Sequence, residues 1–419
     1  MKRVVLLKPP NDLGPEHHSL YGLLCLAAQL RASNIPVRIV NGNCDPMWRT
    51  TLLNLVDEEV LVGISALTHE VAGAIEASDI AKSKGATVVW GGLHPQLFPR
   101  QVLRDRSVDY VCTGEGESVL VGMALGKHPS DMPNLAWRDR DGEHFSRRIF
   151  ENLDALALAA YDLNDHAGPW LSGTRFQYEA TRGCPHRCLF CSNPVLGNTS
   201  WRVRSAERVV DDLSRIAAMG GRFVEFVDDN PFVRPEYFQQ IAEQMIRVGL
   251  ELRWAVNCRP EYVSRVGADY FKLLFKAGLR TISVGAESGS QNILNLLCKD
   301  VQVSDILDAA QLIASIPDLD SSFSFFFGVR QETVEDVHRT ICLFNELKRL
   351  LPSIRISINI FTPYPGTALS NGLLEYPSTL RGWLAPSFRS VFSNRFSGKP
   401  WQSNPDFYRK LVHCCGLVY

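Results

Sequence analysis

Short apolar runs alternate with helix-patterned stretches twice along this chain, and few folds accept that pattern. In residues 1–126 the runs VVLLK (4–8), VRIVN (37–41), LVGISAL (61–67), TVVWGG (87–92) and VDYVCTG (108–114) alternate with SLYGLLCLAAQLRASN (19–34) and AGAIEASDIAKSKG (72–85). Apolar strands joined by amphipathic helices predict a doubly wound parallel sheet, whose ligand lies beyond the carboxyl ends of the strands. The residues at those ends are small or polar: Ser65, Ala66 and Thr68, then Gly91, Gly92 and His94, then Gly114, Glu115 and Gly116. Glycine there lets a flat or bulky ligand approach the backbone.

The pattern breaks over 127–170, where NLAWRDRDGEHFSRRIF reads as a hairpin turning at Asp141 and Gly142 within a linker. It resumes over 171–375. Strands are expected at FQYEAT, FVEFVDD (223–229), LRWAVNC (252–258), TISVGAE (281–287), SSFSFFFG (321–328) and IRISINIFTP (354–363), with helices such as AERVVDDLSRIAAMG between them. This predicts a full or partial β/α barrel, which keeps its chemistry at the carboxyl ends of its strands. Residues 376–419 have weak periodicity and read as a C-terminal tail.

Composition narrows the class. Of 419 residues 45% are hydrophobic and 21% charged, the profile of a globular protein, and the net charge of −1 argues against a nucleic-acid binder that works through a basic surface. The apolar run in MKRVVLLKPP is too short for a signal peptide, and no segment approaches the roughly 18 apolar residues of a membrane span. The expectation is a cytoplasmic protein without a nucleic-acid or membrane partner. Its eleven cysteines are therefore expected as buried thiols or metal ligands, not disulfides.

Three of them fall within eight positions, in RGCPHRCLFCSNP: Cys184, Cys188 and Cys191. Four thiolates close a cluster, whereas three leave one iron free to bind a small molecule, as catalysis needs. A zinc site completed by His186 or another histidine is the alternative.

The CxxxCxxC spacing, with Phe190 before the last cysteine, resembles the radical S-adenosylmethionine (SAM) superfamily over about residues 175–367. The resemblance implies a [4Fe-4S] cluster held by Cys184, Cys188 and Cys191, with SAM chelated at the fourth iron and cleaved to a 5'-deoxyadenosyl radical. It implies a small-molecule substrate and an electron donor such as flavodoxin or ferredoxin. It also places Phe190 beside the adenine, Glu225 and Asp228 at the catalytic edge, and Asp229, Ser283 and Glu287 among the cofactor contacts. TPYPGT (362–367) matches the segment that shapes the adenine pocket, while FGVRQETVED departs from the family's usual loop at Val329, Arg330 and Gln331.

The first domain resembles the cobalamin-binding domain that precedes one branch of this superfamily, through KPP (8–10), GLLCLAAQLR, GGLHP (91–95) and VDYVCTGEGE (108–117). That implies cobalamin near Ser65, Gly91, Gly92, His94, Gly114 and Glu115. The DxHxxG motif is absent, so no protein histidine is expected below the cobalt, and His94 is expected as a loop cap or corrin-edge contact. The expected activity is methylation of an unactivated carbon or a phosphinate phosphorus in a small-molecule or natural-product intermediate. Three alternatives stand beside it: a cobalamin-independent radical dehydratase or epimerase of a sugar or aminoglycoside, group transfer to a metalloid held by Cys414 and Cys415, and a non-enzymatic iron-sulfur sensor.

Overall fold

The computed structural model describes residues 2–11, 19–163, 174–362, 364–388 and 405–418. Contacts divide the chain into two units, 1–172 with 375–394, and 173–374 with 395–419. Among the described residues no helix is long and apolar enough to cross a membrane.

In the first unit β1 (Arg3–Lys8), β2 (Val37–Asn41), β3 (Val60–Ser65), β4 (Thr87–Gly91) and β5 (Tyr110–Cys112) form a parallel sheet in the order β2-β1-β3-β4-β5. Val4 to Leu7 are all at most 3% exposed, so both faces of β1 are covered and the strand carries no polar alternation. Because β1 lies between β2 and β3, the winding reverses there, and a crevice opens above the carboxyl ends of those strands.

The expected hairpin forms as β6 (Leu135–Asp139) and β7 (Gly142–Phe145). It does not lie in a free linker: β6 pairs antiparallel with β5 and extends the first sheet to seven strands. Leu135 and Ala136 are fully buried there, and a detached hairpin would leave them in water.

The stretch read as a tail is also divided. Leu380 and Trp383 join the core cluster that contains Trp90, and Arg381 bridges Asp79 at 2.7 Å and Asp105 at 2.9 Å. Residues 405–418 instead form a helix that packs on a strand of the second unit. Two anchoring side chains in an otherwise polar stretch leave no periodicity to read.

The second unit contains β8 (Arg175–Tyr178), the short antiparallel pair β9 (Thr181–Arg182) and β10 (Arg202–Val203), then β11 (Phe223–Phe226), β12 (Arg253–Cys258), β13 (Leu279–Glu287), β14 (Asp320–Phe327) and β15 (Arg355–Ile360). β8 and β11 to β15 form one open six-stranded parallel sheet, a partial barrel, in the order β15-β14-β13-β12-β11-β8. Burial alternates along β14: Phe323, Phe325 and Phe327 are buried, and Phe325 meets Phe344 of the Val334–Leu350 helix at 4.7 Å between ring centres. Each such phenylalanine contributes about 2–3 kcal/mol on burial. Ser322 and Ser324 occupy the opposite face, together with Glu225 and Ser283, so one face holds the fold and the other is left polar.

Candidate functional site

The cysteine loop leaves the carboxyl end of β8, and two consecutive aspartates after β11 pin it. Asp228 is 4% exposed, and its carboxylate accepts the Thr181 N–H at 2.6 Å and the Ala180 N–H at 3.3 Å. Burial, helped by the charge of Glu179, pushes its carboxyl up to about 7 against those hydrogen bonds. Asp229 Oδ2 accepts the Gly183 N–H and the Asn198 side-chain amide, each at 3.1 Å. Gly183 has φ of 89°, and a Cβ there would stand 2.3 Å from the Ser200 carbonyl oxygen, so only glycine fits. Asp228, read from sequence as catalytic, thus has its carboxylate committed to backbone and positions the loop. Asp229 does the same beside it.

Each cysteine sulfur meets a donor. Arg259 Nη1 donates to Cys188 Sγ at 3.3 Å, the Asn230 amide to Cys184 Sγ at 3.7 Å, and the Asn193 N–H to Cys191 Sγ at 3.5 Å, where Cys191 caps the Ser192–Val195 helix. These contacts suit thiolates, since donors stabilise the charge that a bound cluster leaves on sulfur. Burial raises the Cys184 thiol and pushes Cys191 up to about 11, so ligation must release protons. Among the described residues no three His, Cys, Asp or Glu side chains converge on a single ion. A [4Fe-4S] cluster does not ask for that, because each cysteine binds a different iron, and three thiols without a fourth fit it. His186, the other candidate ligand, bonds to the Tyr262 hydroxyl at 3.0 Å.

Behind Cys188 lies a buried charge network. Arg259 bonds to Glu261 and to the Lys299 carbonyl, Lys299 Nζ pairs with Glu287 at 2.6 Å, and the same ammonium lies 5.9 Å from the centre of the Phe190 ring. Glu287 follows a register shift in β13 and adopts φ of 64°, which turns its carboxylate onto Lys299. A Cβ at Gly285 would stand 2.8 Å from that carboxylate. Phe190 and Glu287 are therefore brought to the cysteine loop. Ser283 instead accepts a hydrogen bond from Ser322 at 3.0 Å, and Glu225 stands exposed in β11 between Gln177 and Ala255. Arg259, Asn230 and Lys299 were not among the sequence candidates. Arg259 directly follows the strand run LRWAVNC, a position that marks the active edge of a barrel.

In the first unit a crevice of about 430 Å³, part of it open to solvent, lies at the carboxyl ends of β1, β3, β4 and β5. Ser65, Gly91, Gly92 and Gly114 line it as expected, joined by Cys112, Leu23 and Leu26. A Cβ on Gly92 would stand 2.9 Å from the Ala66 backbone, and the nearest atom to one on Gly91 is Cys112 Cβ at 3.7 Å, so the two glycines keep the strand end open to a ligand beside the apolar side chains of the crevice. Glu115 is not part of the lining: its carboxylate accepts the Glu151 N–H at 2.6 Å.

His94 does not line it either. It is fully buried, its Nδ1 is 3.3 Å from the Thr68 hydroxyl, and its ring packs on Phe98 and Trp383 at 5.2 and 5.1 Å between centres. His94, expected as a loop cap or corrin-edge contact, sits among aromatic rings outside the residues that line the crevice. Burial holds it neutral, with its pKa lowered from 6.5 to about 3. The unfolded chain therefore binds the extra proton between those values, and the contribution of His94 to stability, present above pH 6.5, is lost as pH falls towards 3. His94→Phe is expected to flatten urea-measured stability across pH 6.5 to 4, where the parent protein loses on the order of 3 kcal/mol; parallel pH profiles would contradict this.

Comparison with known proteins agrees with this geometry. The radical SAM superfamily profile matches residues 178–343 and the B12-binding-domain profile matches residues 11–124. The chain thus carries a radical SAM domain preceded by a B12-binding domain. It is 28% identical over 396 residues to an uncharacterised methyltransferase of Pyrococcus horikoshii, covering 89% of this chain and 84% of that protein. It is 28% identical to the hopanoid C-3 methylase of Methylococcus capsulatus, covering 83% and 67%, and 27% identical to the anaerobic magnesium-protoporphyrin IX monomethyl ester cyclase of Cereibacter sphaeroides, covering 75% and 53%. In fold it is similar to the radical SAM methyltransferase TsrM of Kitasatospora setae, solved with cobalamin and a [4Fe-4S] cluster, with a TM-score of 0.72 at 19% identity over 89% of this chain and 78% of that one.

Proposed function

We propose that this protein is a cobalamin-dependent radical SAM methyltransferase acting on a small-molecule or natural-product intermediate in the cytoplasm, with electrons from a reduced flavodoxin or ferredoxin. The observation that carries the proposal is the pair of sites at strand carboxyl ends: a glycine-edged crevice in the first unit and an open three-thiol loop in the second. When bound, the cluster and cobalamin supply reductive cleavage of SAM and the methyl group to be transferred.

In this reading Cys184, Cys188 and Cys191 hold three irons, and Arg259 and Asn230 orient two of the sulfurs. Lys299 and Glu287 beside Phe190 border the SAM site, and Asp228 and Asp229 keep the loop in place. Glu225 and Ser283, on the polar face of the sheet, meet substrate or the outer part of SAM. Cys414 and Cys415 do not act together, since neighbouring residues on a helix point about 100° apart and here one is exposed and the other buried.

The test is anaerobic reconstitution with iron, sulfide and hydroxocobalamin. Stoichiometric cobalamin after desalting, with 5'-deoxyadenosine and S-adenosylhomocysteine both formed from SAM, is the expected result. SAM cleavage by protein that retains no cobalamin would favour the dehydratase or epimerase reading instead. Gly91→Leu fills the crevice without displacing backbone, so it should lower cobalamin retention by roughly tenfold or more, the weight of one overpacked contact. Its iron content should match the parent; equal cobalamin in the two proteins would place the cofactor elsewhere.

A further inference from the structure

At the opposite, amino ends of the second unit's strands lies a cavity with about 1360 Å³ of empty space, part of it open to solvent. Arg175, Arg222, Arg253, Lys276 and Arg280 line it, against one carboxylate, Glu251. Strand register explains the clustering. Arg175 and Arg253 both pair with Phe223 across adjacent parallel strands, which sets them on either side of one phenylalanine at the amino edge of the sheet.

Several exposed cations elsewhere are neutralised by a nearby acid. Arg355, which opens β15 on the same sheet, pairs with Asp320 of β14 at 2.7 Å, and Arg3 and Arg49 pair with Asp57 and Glu76. None of the five cations in the cavity forms an ion pair within 4 Å among the described residues, and Asp318 acts on Arg280 only through space. Two of them are nonetheless held in place. Arg175 lies over the Phe223 ring at 4.3 Å, and Arg280 lies over Phe275 at 4.3 Å while donating to the Phe275 and Leu279 carbonyls, each at 2.7 Å. A guanidinium stacked on a ring keeps N–H groups at its edge for a planar or tetrahedral anion. Desolvation and the nearby Arg253 lower the affinity of Arg280 for its proton more than Asp318 raises it, a repulsion that a bound anion would relieve.

We infer that this cavity binds a small molecule carrying a pyrophosphate group, as free pyrophosphate or as a nucleoside diphosphate. Several convergent cations around a concave space match two linked phosphates, whereas a flat acidic protein surface would not fill it. Electron delivery is not its role. The six residues of β12 at about 3.3 Å each separate the cavity from the cysteine edge by about 20 Å. The site is distinct from that of SAM and stands whether or not the methyltransferase reading does.

The test is calorimetric titration of the full chain with pyrophosphate, ADP and orthophosphate at constant salt. Saturable binding of pyrophosphate or ADP, tighter than orthophosphate by about tenfold and weakened at least tenfold by Arg222→Gln with Arg253→Gln, is expected. ADP tighter than pyrophosphate identifies a nucleotide, and equal affinities identify free pyrophosphate. Cys191→Ala should leave this binding unchanged, which separates it from SAM recognition. No saturable binding below about 1 mM, or binding indifferent to the two arginine substitutions, overturns the assignment. Matching melting temperatures of parent and variant confirm that the comparison is between folded proteins.

Discussion

Cys191→Ala protein, reconstituted with iron and sulfide without oxygen, is expected to show no [4Fe-4S] absorbance and to form no 5'-deoxyadenosine from SAM. Two remaining thiols cannot retain a cluster that already lacks a fourth protein ligand. The loss should exceed the roughly 10- to 100-fold effect of removing a partner outside the ligand shell. Arg259→Gln provides that comparison, because it takes the guanidinium from Cys188 Sγ and leaves the thiols intact. The cobalamin content of both variants should equal the parent's, since the crevice lies in the other unit. SAM cleavage by Cys191→Ala protein would show that another residue ligates the iron.

The second large effect is expected at a residue with no side chain. Gly183→Ala places a Cβ 2.3 Å from the Ser200 carbonyl oxygen at a backbone φ of 89°. A left-handed conformation alone costs an ordinary residue about 1–2 kcal/mol, and displacing a backbone oxygen adds to it, for a total of about 3 kcal/mol or more. The loop must shift, the Gly183 N–H to Asp229 bond breaks, and Cys184 moves with its neighbour. Iron bound per protein should fall sharply along with the thermal midpoint. An unchanged midpoint with full iron content would mean that the loop is less constrained than its geometry indicates. Asp229→Asn, which retains an acceptor oxygen, should cost much less.

Much of the site was legible because its signals are local. The CxxxCxxC spacing, the glycines ending strand runs and the strand run SSFSFFFG are all short-range patterns; the structure sets the cysteines on a loop at a strand's carboxyl end, lines a crevice with the glycines and makes the run a strand. Side-chain direction at strand ends was not legible. Asp228 and Asp229 look from sequence like any pair of acids at a catalytic edge, yet the backbone they serve is some 46 to 48 residues away. The place of His94 in GGLHP points to the ligand side, whereas Trp383, far along the chain, joins Phe98 in enclosing its ring.

Spacing and periodicity settle which chemistry is available: two α/β units, three thiols with an open fourth place, and a glycine-edged crevice. Long-range contacts settle which residues deliver it. They give Arg259 to Cys188, bind the 135–145 hairpin to the first sheet, return Trp383 to the first core and set unpaired arginines around one cavity. The reason is physical. A helix or strand repeats its pattern within a few residues, while the burial and pairing that commit a carboxylate to backbone or leave a guanidinium open depend on what the rest of the chain brings beside it.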